Sequence, residues 1–294
     1  MWSSNKHGRS RRASTLLAVV SFLAGCSRFE IQQQWLFTNA RSVTPSDFPY
    51  NGYELEELSL TVEDGVTIDG WRMYRPMEPA EGPRAAVLYF GGQGYHMVLS
   101  AHIFDALLAI LPRGVDLYTF DYRGYGKSEG EPGVDALLRD AMAIWAFVRD
   151  RPDTDAARLG LHGQSMGSFM ASYVAAETNA ARAVVLEAPV TSAQDWLETV
   201  IPGWVRMLLR PTPVSPLDQP DNAVWVEQFD APLLLVAGSE DPIAPPDLAR
   251  TLLERARSKQ KSLVVVEGGS HNDLPGTTPF QTSYHALMED LIGQ

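Results

Sequence analysis

The chain is poor in cysteine, poor in positive charge, and has no long apolar run beyond its beginning. Cys26 is the single cysteine among 294 residues, which excludes an intramolecular disulfide and a cysteine-based zinc site. Lys and Arg number 24 against 36 Asp and Glu, a formal net charge of −12. A chain this acidic has no general attraction for nucleic acid, and no nucleic-acid partner is expected. After the N-terminus no apolar run reaches the ~20 residues of a membrane helix. No internal repeat or low-complexity tract is visible either. What the chain does have is 45% hydrophobic and 10% aromatic residues. That composition excludes a disordered or collagen-like polymer and supplies a sizeable core.

The beginning reads as an address label. Lys6, Arg9, Arg11 and Arg12 form a basic head, and Leu16 to Ala24 is a short apolar run. The run is too short to span a bilayer comfortably and suits a signal peptide. It ends in Leu23-Ala24-Gly25-Cys26, which resembles a bacterial lipobox. That resemblance implies a signal peptide over 1–25, lipid attachment at Cys26, and a membrane-anchored lipoprotein of the bacterial cell envelope. Arg11-Arg12 also hints at twin-arginine export, although Ser14 stands where an apolar residue is usual. Removing the four basic residues of 1–25 from the 24 leaves 20 against 36 acidic ones, a net of −16. Anionic lipid repels such a chain, so attachment to a membrane is expected through acyl chains.

Residues 26–56 show no clear period and read as a tether and lead-in; residues 57–294 read as one domain. Leu58 to Val62 and Val66 to Trp71 alternate around Glu63-Asp64-Gly65, an antiparallel hairpin. Six apolar runs follow, at 85–90, 115–120, 158–162, 183–186, 232–237 and 262–266. Continuous apolar runs are what strands buried on both faces require. Helical spacing fills the intervals at 97–111, 133–151, 166–178, 246–258 and 279–292. Strand and helix in alternation predict an α/β architecture: an eight-stranded, mostly parallel sheet flanked by helices. Residues 190–230 break the rhythm, and a connection that long is usually functional. Paired apolar residues from Trp196 to Leu209 predict one helix with an apolar face. The expectation is a short helical lid in which Trp204 touches the substrate.

Gly163-Gln164-Ser165-Met166-Gly167 joins a strand to a helix. A serine on such a turn projects above the sheet, and the helix N-terminus aims the Met166 N–H at a developing oxyanion. A serine nucleophile needs a base and an orienting acid, which in this arrangement follow in the order acid, then histidine. Asp241, in Gly238-Ser-Glu-Asp241, and His271, in Gly269-Ser-His271-Asn, both follow strands. That puts them on the edge where open α/β sheets carry their sites. Glu187, Glu240, Asp273 and Asp121 compete with Asp241 as the acid. His162 and His96 read as supporting residues. The glycine-rich turn Gly91-Gly92-Gln93-Gly94 supplies a second oxyanion N–H, by register that of Gln93, with Gly94 the near alternative.

These strings, with Phe120-Asp-Tyr-Arg-Gly-Tyr-Gly-Lys-Ser128, resemble the α/β-hydrolase-fold serine hydrolases. Within that fold the chain is similar to the branch of serine-aminopeptidase-like domains and eukaryotic α/β-hydrolase-domain depalmitoylases. The resemblance covers about residues 57–294 and implies Ser165, Asp241 and His271 as the triad. It implies cleavage of an ester or thioester in a small-molecule or acylated substrate, with no metal or organic cofactor. An amidase or peptidase of the same fold, or a non-catalytic envelope-binding protein, is the alternative. One departure stands out: Gly91 occupies the place where that branch has a histidine.

Overall fold

In this computed structural model the described residues are 28–33, 37, 52–76, 82–208 and 210–292. The signal-like segment and Cys26 lie outside them. The first strand, β1 (Arg28–Ile31), stands apart from the main sheet. That sheet opens with β2 (Glu54–Thr61) and β3 (Thr67–Tyr74), antiparallel across the turn at Glu63-Asp64-Gly65. There follow β4 (Arg84–Phe90), β5 (Val115–Phe120), β6 (Thr154–Gln164) and β7 (Val184–Glu187). After the insertion, which carries β8 (Arg210–Pro213), come β9 (Leu233–Gly238) and β10 (Lys261–Val266). Strand order is β10-β9-β7-β6-β4-β5-β3-β2. Only β2–β3 and β3–β5 are antiparallel. The result is an eight-stranded, mostly parallel sheet. Every residue of β5, β7 and β9 is buried, as strands covered on both faces must be.

The covering helices are α1 (Ala101–Ile110), entered through a 3-10 turn at Met97–Ser100, then α2 (Val134–Arg149) and α3 (Gly167–Thr178). Two more helices follow the insertion, α7 (Pro246–Arg255) and α8 (Thr278–Ile292). In α2 the buried Leu137, Ala141, Ile144, Trp145 and Val148 recur every three or four residues. Asp135 sits in its first turn and Arg149 in its last, each complementing the helix dipole.

The insertion differs from expectation. Instead of one helix it holds α4 (Ala193–Val200), α5 (Gly203–Leu208), β8 and α6 (Asn222–Trp225). Pro202 is the cause. A residue before proline is driven out of the helical region, and Ile201 is extended at φ −93°, ψ 122°. The apolar pairs on either side of the break kept their spacing and hid it.

The lead-in differs as well. β1 pairs parallel with β8, from Arg28 opposite Arg210 to Ile31 opposite Pro213. Ile31 is buried in a small second core with Val134, Ala193, Leu197 and Leu217. The Val134 N–H donates to Gln33 Oε1 over 3.0 Å, satisfying a free amide at the start of α2. Residues 28–33 are therefore part of the lid. A strand of four residues is too short to show a period. The main strand region begins at Glu54 rather than 57.

Candidate active site

Ser165 sits between β6 and α3 at φ 51°, a left-handed backbone that costs a non-glycine residue about 1–2 kcal/mol. Neighbours hold it there. The Ser165 N–H donates to the Glu187 carbonyl over 2.8 Å, and the Ser168 hydroxyl donates to the Ser165 carbonyl over 2.6 Å. A Cβ on Gly163 would overlap the backbone of Gly167, and one on Gly167 would overlap the Phe90 carbonyl. The flanking glycines thus let α3 start directly against β4 and β6.

Three strand ends then converge. His271 follows β10, Asp241 follows β9, and Ser165 follows β6. His271 Nδ1 lies 2.7 Å from Asp241 Oδ2, and His271 Nε2 lies 2.9 Å from Ser165 Oγ. With Nδ1 carrying the proton toward Asp241, Nε2 is left to accept from the serine hydroxyl. The other oxygen of Asp241 accepts from the N–H groups of Ile243 and Ala244 at 2.8 and 2.9 Å. Burial pushes the Asp241 carboxyl up, but the bond from His271 and those two amides outweigh it and hold its pKa below the ordinary value. Asp241 is therefore an anion where the histidine needs one.

The competing acids have other partners. Glu187 Oε2 is 3.0 Å from His162 Nε2, and both side chains are buried beneath the site. Glu240 is exposed beside Asp241. Asp273 Oδ1 accepts from the Ser270 N–H over 2.8 Å and shapes the histidine loop. Asp121 accepts from the Met97 N–H over 2.8 Å and braces the segment after the glycine-rich turn. His96 lies against it, Nδ1 to Oδ1 3.9 Å.

Gln93 and Met166 both line the cavity that Ser165 and His271 face. The glycine at 91 has a visible reason. The Tyr95 ring fills the space where any Gly91 side chain would stand. Tyr122 supports the turn from the far side, its hydroxyl donating to the Gly91 carbonyl over 2.6 Å. The reading of the sequence missed both tyrosines, and it missed Gln164. The Gln164 amide donates at 3.5 Å to the His271 carbonyl and at 3.4 Å to Asn272 Oδ1, and its oxygen lies against Gly92. It thus spans the glycine-rich turn and the histidine loop. The variable position of G-x-S-x-G gives no signal for this role.

The cavity has a volume of about 390 Å³. Its walls are mainly apolar: Leu137, Leu138, Phe169, Met170, Val190, Trp196, Val200 and Leu217 among others. Trp196 and Val200 come from the lid helix α4. Phe37, from the lead-in, completes one wall. Trp204 does not line the cavity; it is 68% exposed on α5. The break at Pro202 turned it away, which corrects its expected contact with substrate.

The profile of the family described as Serine aminopeptidase, S33 matches residues 81–226 and 224–274. The chain belongs to the serine aminopeptidase S33 family. Among relatives of this family member, the uncharacterized protein Rv2307c of Mycobacterium tuberculosis is 32% identical over 219 residues, 74% of this chain and 72% of that protein. Protein bem46 of Schizosaccharomyces pombe is 25% identical over 98% of this chain and 92% of its own length. The uncharacterized membrane protein YNL320W of Saccharomyces cerevisiae is 27% identical over 82% and 80%. The Pyrococcus furiosus esterase Pf2001 superposes with a TM-score of 0.66 at 19% identity, covering 86% of this chain and 97% of that one. Acetyl xylan esterase 1 from Thermoanaerobacterium gives 0.63 at 19% identity, over 90% and 100%. The fold is that of the α/β hydrolases. Among the described residues no helix is long and apolar enough to cross a membrane.

Proposed function

We propose that this S33 family member is a serine hydrolase that cleaves a carboxylic ester or thioester through an acyl-enzyme. One observation carries the reading: His271 bridges Asp241 and Ser165 at the wall of an apolar cavity. Ser165 Oγ attacks the acyl carbonyl while its proton passes to His271 Nε2. Asp241 stabilises the imidazolium that forms. The N–H groups of Met166 and Gln93 hold the oxyanion, Met166 with the help of the α3 N-terminus. His271 then returns the proton to the departing alcohol or thiol. Water repeats the sequence on the acyl-enzyme and frees the acid and Ser165.

Amide or peptide cleavage is the second reading, favoured by the family's own description. An aminopeptidase must hold a free ammonium, and the described lining of this cavity contains no Asp or Glu to pair with it. Apolar walls suit an acyl chain instead. A fluorophosphonate probe tests the serine: labelling of wild-type protein, lost in Ser165→Ala, is expected. Unlabelled, folded wild-type protein would point to a non-catalytic binding role. Rates across p-nitrophenyl esters and the matching amides separate the two hydrolase readings.

The reading extends to place. The lipobox-like sequence at Cys26 and the description of a yeast relative as a membrane protein support a protein held at the bacterial cell envelope by a lipid on Cys26. Cys26→Ser is expected to release it from the membrane fraction or block its processing, and a clickable fatty acid is expected to label only the wild type.

A further inference from the structure

We propose that the lid edge formed by α5 and the start of the β1–β8 pair is a membrane-contact surface, so that the cavity receives its acyl group from the bilayer. The inference rests on the attachment of the N-terminus proposed above and adds to it an orientation and a source of substrate.

Two observations meet on this edge. The first is where the chain enters. Arg28 opens β1 directly beside Arg210, just past the end of α5. The apolar run Leu16 to Ala24 ends four residues earlier and Cys26 two residues earlier. At ~3.5 Å per residue, a lipid on Cys26 is tied within ~7 Å of chain from the lid. No long tether separates the membrane from this face, whether a lipid or the apolar run provides the hold.

The second is Trp204. Among the described residues it is the most exposed of the large apolar side chains, at 68%, and it stands on α5, which precedes β8 in the chain. A tryptophan left in water on a helix beside a membrane attachment point is placed as interfacial tryptophans are, with an apolar body and a polar N–H for the headgroup level. Val200, the last residue of α4 before the Pro202 break, is 37% exposed and also lines the cavity. The cavity wall therefore reaches the surface where α4 leads into α5.

A lipid surface fits both features; a soluble substrate requires neither.

The test uses the full chain purified from membranes in detergent with its native N-terminus. It is reconstituted on phosphatidylcholine vesicles containing some phosphatidylglycerol, with lipids brominated near the headgroup end of the acyl chain. Part of the wild-type tryptophan emission is expected to be quenched, and Trp204→Phe is expected to lose that part. Trp204→Glu is expected to hydrolyse a vesicle-borne long-chain ester about tenfold more slowly, with a water-soluble acetate ester cleaved at the wild-type rate. Vesicle-bound wild-type protein with no Trp204-dependent quenching, and Trp204→Glu unchanged on both esters, overturns the proposal while leaving the attachment intact. Wild-type protein that does not float with the vesicles overturns the attachment, and the orientation with it. The soluble ester reports the hydrolase chemistry separately from either.

Discussion

Ser165 bears both the strain and the proposed chemistry, so its replacements separate the two. Ser165→Ala is expected to abolish ester hydrolysis while unfolding at the wild-type temperature or above, since the anchors that hold φ at 51° are backbone groups and Ser168. Asp241→Asn is expected to lower kcat by about 10³–10⁴, because an amide lets the imidazole carry its proton on the wrong nitrogen. Glu187→Gln is expected to keep most of its turnover, since Glu187 faces His162 and not His271. Stopped assays on a p-nitrophenyl ester measure all three, and collapse of Glu187→Gln with a sound Asp241→Asn would transfer the acid's role. Asp121 makes a claim about pH. Burial pushes its carboxyl up to about 7, against the pull of the Met97 N–H, and burial lowers the pKa of the adjacent His96. Asp121 is therefore protonated below about 7 and passes to its charged form around neutrality, beside an imidazole that burial disfavours from taking a proton. In the unfolded chain an aspartate gives up its proton near ~4. Between there and about 7 the folded state holds the extra proton, so stability falls as pH rises through that window. Asp121→Asn keeps the oxygen that Met97 donates to and removes the titration. It is expected to gain on the order of 2–4 kcal/mol over wild type at alkaline pH and little at acid pH, read by urea unfolding.

At the scale of elements, the lid divides at Pro202 into a half that lines the cavity and a half that does not. Trp196→Ala is expected to raise KM for medium and long acyl esters by roughly three- to tenfold and to spare acetate esters, because contact along the chain is uniform binding. Trp204→Ala is expected to change neither with soluble esters. Asn222 pins the lid's return to the elbow, its amide donating to the Ser168 hydroxyl at 2.8 Å and to the Val190 carbonyl at 2.7 Å with no exposure to water. Asn222→Ala leaves both acceptors buried, and a loss of about 1–3 kcal/mol in unfolding free energy is expected. The sheet was readable from sequence because strands buried on both faces tolerate few polar residues, as Ala85 to Phe90 and Leu233 to Ala237 illustrate. The elbow was readable because Gly163 and Gly167 are demanded by backbone overlap. Ser165, Asp241 and His271 were nameable because each follows a strand in the expected order. The parts that escaped depend on contacts far apart in the chain. Tyr95 over Gly91, Gln164 reaching Asn272 and Arg28 beside Arg210 leave no local period or motif. Pro202 was legible and was overridden by an apolar spacing that continued across it.

For the whole molecule, the consequence of these long contacts is that stability is divided. The sheet and its covering helices form one large apolar core, whereas the lid, the lead-in strand and the start of α2 share a small one around Ile31 and Leu197. A cluster of that size cannot match the burial beneath β4 and β6. Segments that rest on few apolar contacts open at lower free energy than the core. Hydrogen exchange on the full chain is therefore expected to show the amides of β1 and α4 opening well before those of β4, β6 and β9. Ile31→Ala makes the division quantitative. Ile31 is 8% exposed, and truncating such a residue costs on the order of 2–4 kcal/mol where its surroundings do not collapse. If the small core is a unit of its own, that loss falls on the exchange of β1, α4 and the first turn of α2 alone. Protection in β4 and β6, which reports global unfolding, then stays at the wild-type level. An equal loss of protection across lid and sheet would show instead that the lead-in strand is cemented into one cooperative molecule. The lid would then have no independent opening through which an acyl group could enter.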